Sequence, residues 1–180
     1  IVEETYNPII TLIREIAKPV VCGVNGVAAG AGANIALACD IVVASEKASF
    51  IQAFSKIGLV PDSAGSFFLP RLIGFQKASA LMLLGDKVSA AQAQDLGMIY
   101  KVFPPETFHQ EVHSLALHMA QLPTKALGLT KKLLNASFNN TLEQQLALES
   151  KLQIQAANSN DYKEGVSAFV EKRKPNFKGN

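Results

Sequence analysis

The stretch from Asn25 to Asp40 reads NGVAAGAGANIALACD and carries no charge before its last residue. An apolar pattern typical of a strand, VVCGV at 20–24, precedes it, and a second, IVVAS at 41–45, follows it. A strand, a glycine-rich loop, a helix and a second strand are together typical of an α/β unit with parallel strands. The sequence therefore predicts that bare, glycine-rich backbone leads into a helix N-terminus.

Three functions fit such a loop unequally. A dinucleotide-binding loop is disfavoured because Ile35 stands where the pattern G-x-G-x-x-G needs its third glycine, and no Gly-Lys-Ser/Thr follows for a phosphate loop. Glycine and alanine could also serve only the close packing of helix against strand. Alternatively, backbone N–H groups without a neighbouring cation suit negative charge that develops on a neutral carbonyl oxygen. From the residues alone, the last two interpretations stay open.

The rest of the chain extends the α/β pattern and then changes character. Helical spacing of apolar residues occurs at 6–17, 63–74, 75–86 and 89–99, and a short strand is predicted at 100–104. After Pro123 only amphipathic helical segments follow. We therefore predict an α/β core over residues 1–120 and a helical C-terminal region over residues 121–180. Because the chain opens with Ile1 in the middle of a pattern, we also expect that an N-terminal part of the natural protein is absent.

Composition excludes some classes of partner. The chain has 180 residues, of which 48% are hydrophobic, and its 17 basic and 15 acidic residues give a net charge of +2. This near-neutral balance predicts no nucleic-acid partner. The uncharged run from Pro19 to Cys39 is long enough to span a membrane, but a proline, four glycines and two asparagines interrupt it. We expect no membrane association.

Cysteine and histidine usage points away from disulfide and metal chemistry. Cys22 and Cys39 both lie in apolar runs, which favours buried thiols in a reducing compartment, and we expect a cytoplasmic protein. His109 and His113 would share one helix face, but no third ligand is evident in the sequence. We therefore predict no metal site.

Several ordered motifs carry a resemblance to a known family. They read KPVVCGVNGVAAGAGANIALACDIVVAS at 18–45, FSKIGLVPDSAGSFFLPRLIG at 54–74, LLGDKVSAAQAQDLGMIYKVFP at 83–104 and DYKEGVSAFVEKRKPNFKG at 161–179. Together they resemble the crotonase, or enoyl-CoA hydratase/isomerase, superfamily over nearly the whole chain. The resemblance implies a crotonase-like ββα spiral core with a C-terminal helical trimerisation region. It also implies homotrimers or hexamers and an acyl-CoA thioester whose coenzyme A is part of the substrate, with no separate cofactor.

Within that family, the glycine-rich loop implies an oxyanion site. The position of Ala31 matches the residue whose N–H binds the thioester oxygen, and Gly30 and Gly32 flank it. A hydratase of the family carries two catalytic glutamates, but here the matching positions hold Asn34 and Phe54. Hydration needs one group to activate water and another to handle the α proton, so this departure argues against a simple hydratase.

The remaining site residues also follow from the resemblance. Asp62, in GLVPDSAG, matches the acid/base carboxylate of several isomerases, although an aspartate before a helix is equally a favoured N-cap. We expect Phe54 and Phe67 to give it an apolar setting beside the substrate. Asn34 is expected either to hydrogen-bond the substrate or only to complete the first turn of its helix. Phe169 and Lys172 match the aromatic and the lysine that face the adenine and 3′-phosphate of coenzyme A.

The resemblance therefore implies an isomerase. The expected reaction moves a double bond from the Δ3 to the Δ2 position of an acyl-CoA. The segments NGVAAGAGA, FSKIGLVPD and YKEGVSAFVEKR also resemble the branch of phenylacetate catabolism that converts ring-1,2-epoxyphenylacetyl-CoA to an oxepin. The alternatives are an enoyl-CoA hydratase and a non-catalytic crotonase-fold protein that binds acyl-CoA or RNA.

Overall fold

The computed structural model describes every residue from Ile1 to Asn180. The chain forms two compact units, residues 1–14 with 20–113 and residues 15–19 with 114–180. All strands lie in the first unit, and the second is helical. The division into domains at residues 120 and 121 stays a prediction.

The elements that begin in the first unit alternate between short strands and helices. The strands are β1 Val21–Val24, β2 Val27–Ala29, β3 Ile41–Ser45, β4 Ser49–Ile51, β5 Lys87–Ser89 and β6 Lys101–Phe103. The helices are α1 Asn7–Glu15, α2 Ala31–Leu37, α3 Gly65–Ile73, α4 Phe75–Leu84, α5 Ala90–Asp95 and α6 Phe108–Ala120. A π-helical turn spans Val2–Tyr6 and a 3₁₀ turn spans Ala53–Ile57. This order confirms the predicted strand, loop, helix and strand around α2.

The strands form two sheets of three strands each, in the orders β1-β3-β6 and β2-β4-β5. β1 and β3 are parallel, with Val21 opposite Ile41, as the sequence pattern predicts. β2 and β4 are also parallel, whereas β4 and β5 are antiparallel. The three-residue strands β2, β4 and β5 were not predicted from the sequence.

Local signals at several helix ends are confirmed. Ser89 caps α5 in a capping box with Gln92, in which each side chain bonds the other residue's backbone N–H. Gly97, just beyond that helix, has φ 74°, and Gly85, at the end of α4, has φ 67°. These residues end the helices in the left-handed conformation that glycine tolerates best.

The apolar core of the first unit lies between the sheets and the helices α2 to α5. Val43, Phe50 and Leu69 have no exposed surface. Phe68 belongs to a second cluster, with Ile10 and Ala38, and is a core residue as expected. Cys22 and Cys39 are free thiols, half-buried against the main core rather than fully buried.

The second unit contains α7 Thr124–Ser137, α8 Leu142–Ala157 and α9 Asn160–Val170. These bounds confirm the predicted helical C-terminal region. The buried side chain of Asp161 accepts hydrogen bonds from the N–H groups of Lys178 (2.7 Å) and Gly179 (2.8 Å), so the C-terminal tail packs back onto α9. None of the chain's helices combines the length and apolar character needed to cross a lipid bilayer.

Candidate active site

Gly30 turns the chain from β2 into α2. Its N–H donates to the carbonyl of Ile51 (2.9 Å), which extends the pairing of β2 with β4. Its φ of 53° and ψ of −124° lie in a region that side-chain-bearing residues rarely adopt. A Cβ at this position would make only an ordinary contact with the ring of Phe54, at 3.5 Å, so it is the backbone conformation that favours glycine. Glycine is therefore required here, and the next residue, Ala31, begins the helix.

The first turn of α2 begins with backbone amides that have no partner within the helix. Asn34 is the first residue of this helix whose N–H reaches a carbonyl one turn back, that of Gly30 (3.1 Å). The N–H groups of Ala31 and Gly32 precede it and have no such helical partner. Gly32 is exposed, and a Cβ there would meet no atom within 4 Å. The backbone at Gly32 is therefore open on the side where a side chain would stand.

Asn34 is wholly buried, and both polar atoms of its amide bind other parts of the first unit. Its Nδ2 donates to the backbone carbonyl of Asp62 (2.9 Å), and its Oδ1 accepts from Nε2 of Gln52 (2.7 Å). The side chain thus joins α2 to the segment around Asp62, rather than standing open to a ligand. Sequence reasoning missed Gln52, although a lone amide within the apolar run SFIQAF is a detectable signal.

Asp62 is half-buried and has one carboxylate oxygen held in place. Oδ1 accepts a hydrogen bond from Oγ of Ser63 (2.9 Å), whereas Oδ2 accepts none from the protein. The alternative role as a helix cap is wrong. α3 begins at Gly65, its N-cap residue is Ala64, and no side chain caps it. Asp62 is therefore not engaged in capping, and one oxygen is available to a ligand.

A cavity of about 430 Å³ lies beside Asp62. Its lining includes Leu59, Val60 and Pro61, and the first two side chains are 61% and 81% exposed. The rings expected around Asp62 do not line this cavity. Phe54 packs beneath Gly30, and Phe67 lies on α3 with the guanidinium carbon of its neighbour Arg71 at 3.8 Å from the ring centre. Leu59, Val60 and Pro61 give the cavity an apolar side next to Asp62.

The predicted coenzyme A contacts lie in the second unit. Phe169, on α9, is 85% exposed and lines an apolar cavity of about 370 Å³ together with Tyr162 and Phe177. Lys172 is exposed and follows directly after that helix, with φ 55°. An aromatic face and a cation are thus close in sequence at this end of the unit.

No group of three or more histidine, cysteine, aspartate or glutamate side chains is arranged to hold a metal ion. Around the start of α2, the N–H of Asn34 donates to the carbonyl of Gly30 and its side chain donates to the carbonyl of Asp62. The ring of Phe54 lies beside Gly30. The chemistry available there is a set of amide donors, one carboxylate and an apolar cavity.

The fold and this site define the class. The chain belongs to the enoyl-CoA hydratase/isomerase family, whose model matches residues 1–180. The ββα core and helical C-terminal region expected from the resemblance agree with solved structures of that fold. The enoyl-CoA hydratase of Polaromonas sp. JS666 superposes with a TM-score of 0.93 at 38% identity, covering 98% of this chain and 68% of that one.

Among individual relatives, the chain is similar to the 1,2-epoxyphenylacetyl-CoA isomerase of Escherichia coli K12. The two are 50% identical over 178 residues, which cover 99% of this chain and 68% of the relative. The protein named "Probable enoyl-CoA hydratase" in Rhodobacter capsulatus is 42% identical over 179 residues, or 99% of this chain and 70% of that protein. The chain thus spans about two thirds of the length of these relatives. One of them is named as an isomerase and the other as a hydratase.

Proposed function

We propose that the protein is an acyl-CoA isomerase that moves a carbon–carbon double bond from the Δ3 to the Δ2 position. The observation that carries the proposal is the set of groups at the site. Asp62 offers a free carboxylate oxygen beside an apolar cavity, whereas an amide bound to protein stands at position 34 and a buried ring at position 54. One carboxylate suffices for transfer of a proton between two carbons.

In the proposed mechanism, the thioester oxygen accepts a hydrogen bond from the N–H of Ala31. Asp62 removes a proton from C2, and the electron pair of that C–H bond delocalises onto the thioester oxygen as a dienolate. Asp62 then returns the proton to C4, so that the double bond lies between C2 and C3. Loss of one amide donor of this kind typically raises the barrier by about 3–4 kcal/mol.

Hydration is the less favoured reaction because it requires two groups. One must deprotonate water, and another must supply the α proton. The side chain of Asn34 is not a base at any ordinary pH, and its polar atoms already bind Gln52 and Asp62. The ring of Phe54 has no proton to transfer. This leaves a single titratable group at the site.

The finer assignment concerns the acyl group. The similarity to a 1,2-epoxyphenylacetyl-CoA isomerase supports ring-1,2-epoxyphenylacetyl-CoA as a substrate, converted to an oxepin in phenylacetate catabolism. We assign Phe169 and Lys172 to the adenine and the 3′-phosphate of coenzyme A, since an exposed ring stacks on a base and an ammonium group suits a phosphate. Coenzyme A enters with the substrate, and no other cofactor or metal takes part. We place the enzyme in the cytoplasm as a homotrimer or a hexamer.

The test compares two acyl-CoA thioesters with matched variants. Purified protein is incubated with a 3-enoyl-CoA and, separately, with a 2-enoyl-CoA, and products are separated by mass and retention time. Asp62→Asn keeps the shape of the side chain but removes its basicity, and should lower double-bond migration by about 10²- to 10⁴-fold. Asp86→Asn is the matched control, because Asp86 is an exposed carboxylate outside the site and should retain full activity.

Two outcomes would contradict the proposal. Addition of water to the 2-enoyl-CoA that persists in Asp62→Asn would identify a hydratase in which Asp62 plays no catalytic role. Binding of acyl-CoA with no turnover of either thioester, or of the epoxide, would identify a non-catalytic binding protein. Conversion of ring-1,2-epoxyphenylacetyl-CoA to an oxepin would support the finer assignment.

A further inference from the structure

Two buried amide side chains connect the core of the first unit to the backbone of Asp62. Gln52 is 3% exposed and Asn34 is not exposed at all. Nε2 of Gln52 donates to Oδ1 of Asn34 (2.7 Å), and Nδ2 of Asn34 donates to the carbonyl of Asp62 (2.9 Å). These bonds connect residues 18 and 28 positions apart in sequence, so no local pattern provides them.

Only one orientation of the two side-chain amides is consistent with these hydrogen bonds. The carbonyl of Asp62 can only accept, so it must face the NH₂ group of Asn34. The oxygen of Asn34 then faces Gln52, which must in turn present its own NH₂ group. Oε1 of Gln52 is buried and accepts no hydrogen bond from another protein group.

The segment that receives these bonds is strained. Ser63 and Ala64, which follow Asp62, have φ values of 48° and 58°, and neither is a glycine. Such a conformation is unfavourable for a residue with a side chain and persists only where surrounding contacts hold it. The carbonyl of Asp62 also accepts from the N–H of Gly65 (2.9 Å), so it receives two bonds at the start of the strained segment.

We infer that Gln52 and Asn34 form a positioning pair that holds the strained Asp62 segment and so aims its carboxylate at the substrate. Neither amide takes part in the proton transfer. Asn34 fixes the backbone of Asp62, Gln52 fixes Asn34, and the buried hydroxyl of Ser63 orients Oδ1 of the carboxylate. This inference rests on the proposed function and adds to it two residues that act through Asp62.

The test measures kcat and KM on folded variants, so that a misplaced carboxylate can be distinguished from a less stable fold. Asn34→Leu removes both bonds while keeping the branch at Cγ, and should lower kcat for double-bond migration by about 10- to 100-fold, the effect of a misplacement of about 1 Å. KM should change by less than about twofold, because Asn34 makes no proposed contact with substrate. Gln52→Met removes only the outer bond and should lower kcat by about threefold to tenfold. If Asn34→Leu does not fold, Gln52→Met still tests the positioning role.

Asp40→Ala is the control for stability. Asp40 accepts from the N–H of Val20 (2.8 Å) and pairs with Arg14 (3.1 Å), at contacts that do not involve the Asp62 segment. Its loss should lower the melting temperature and leave kcat unchanged. Hydrogen exchange of the Gly65 amide, which reports the Asp62 segment directly, should accelerate in Asn34→Leu and Gln52→Met but not in Asp40→Ala.

The outcomes distinguish this inference from the proposed function. If Asp62→Asn abolishes migration while Asn34→Leu and Gln52→Met keep the wild-type kcat, the positioning role is refuted and the isomerase stands. If the wild-type protein moves no double bond, the proposed function fails. In that case, unchanged exchange of the Gly65 amide in both variants would refute the positioning pair as well.

Discussion

Gly65→Ala is a direct test of the packing that holds the site together. Gly65 is buried at the first residue of α3, and its φ is negative, so alanine meets no backbone strain there. A Cβ at this position would instead collide with the side chain of Asn34, whose Nδ2, Cγ and Oδ1 are its nearest atoms. Because Asn34 is fully enclosed, it cannot turn away into solvent.

The expected loss of stability follows from the overpacking and from the hydrogen bonds that Asn34 would lose. Overpacking typically costs about 1–3 kcal/mol, and each buried polar group that loses its partner costs about 1–3 kcal/mol more. The better helix propensity of alanine offsets up to about 1 kcal/mol of this loss. We therefore expect Gly65→Ala to lower the free energy of unfolding by about 2–5 kcal/mol, which for a chain of this length corresponds to a melting temperature lower by about 5–15 °C.

The assay is thermal unfolding followed by far-ultraviolet circular dichroism, and Gly32→Ala is its matched control. A Cβ at Gly32 meets no atom within 4 Å, so this variant should be as stable as the wild type or slightly more stable. In an Asn34→Ala background, Gly65→Ala should cost little, since the colliding atoms are absent. The coupling energy of this cycle should reach about 2 kcal/mol. A cost of Gly65→Ala that is the same in both backgrounds would refute the reasoning.

Two further predictions concern the second unit. A Cβ at Gly128 would lie 2.5 Å from the carbonyl oxygen of Ala17, so Gly128→Ala should destabilise the protein by about 1–3 kcal/mol in urea unfolding. Gly165→Ala should not destabilise the protein, because a Cβ there makes only an ordinary contact at 3.5 Å. Equal losses of stability in the two variants would contradict this packing. Hydrogen bonds from Arg173 and from the N–H of Asn176 lower the pKa of Glu164 to about 2 from 4.5. The small stabilisation from this exposed pair is therefore complete above pH 4.5 and is lost as the pH falls towards 2. The melting temperatures of wild type and Arg173→Ala should therefore differ at pH 7 and converge in acid, and a gap that persists at pH 2 would contradict this.

Much of the architecture was predictable from sequence because it depends on local patterns. The apolar runs at 20–24 and 41–45 predicted the parallel pair β1 and β3, and Ser89 predicted the start of α5. The ordered motifs were sufficient to recognise the family. They also revealed that positions 34 and 54 lack a carboxylate, since this requires only the identity of a residue and not its environment.

Only the tertiary structure decided what the site residues do. Asp62 precedes a helix, and its sequence context suggests a cap, but contacts from Asn34 and Gly65 bend the backbone so that Ala64 takes the N-cap position. Asn34 was expected beside the substrate, yet its amide binds Gln52 and Asp62, which lie 18 and 28 residues away. Residue identity and periodicity report the preferences of a short segment. The partner of a buried amide is set by whichever donors and acceptors the folded chain brings within about 3 Å, and that distance is a property of the whole unit.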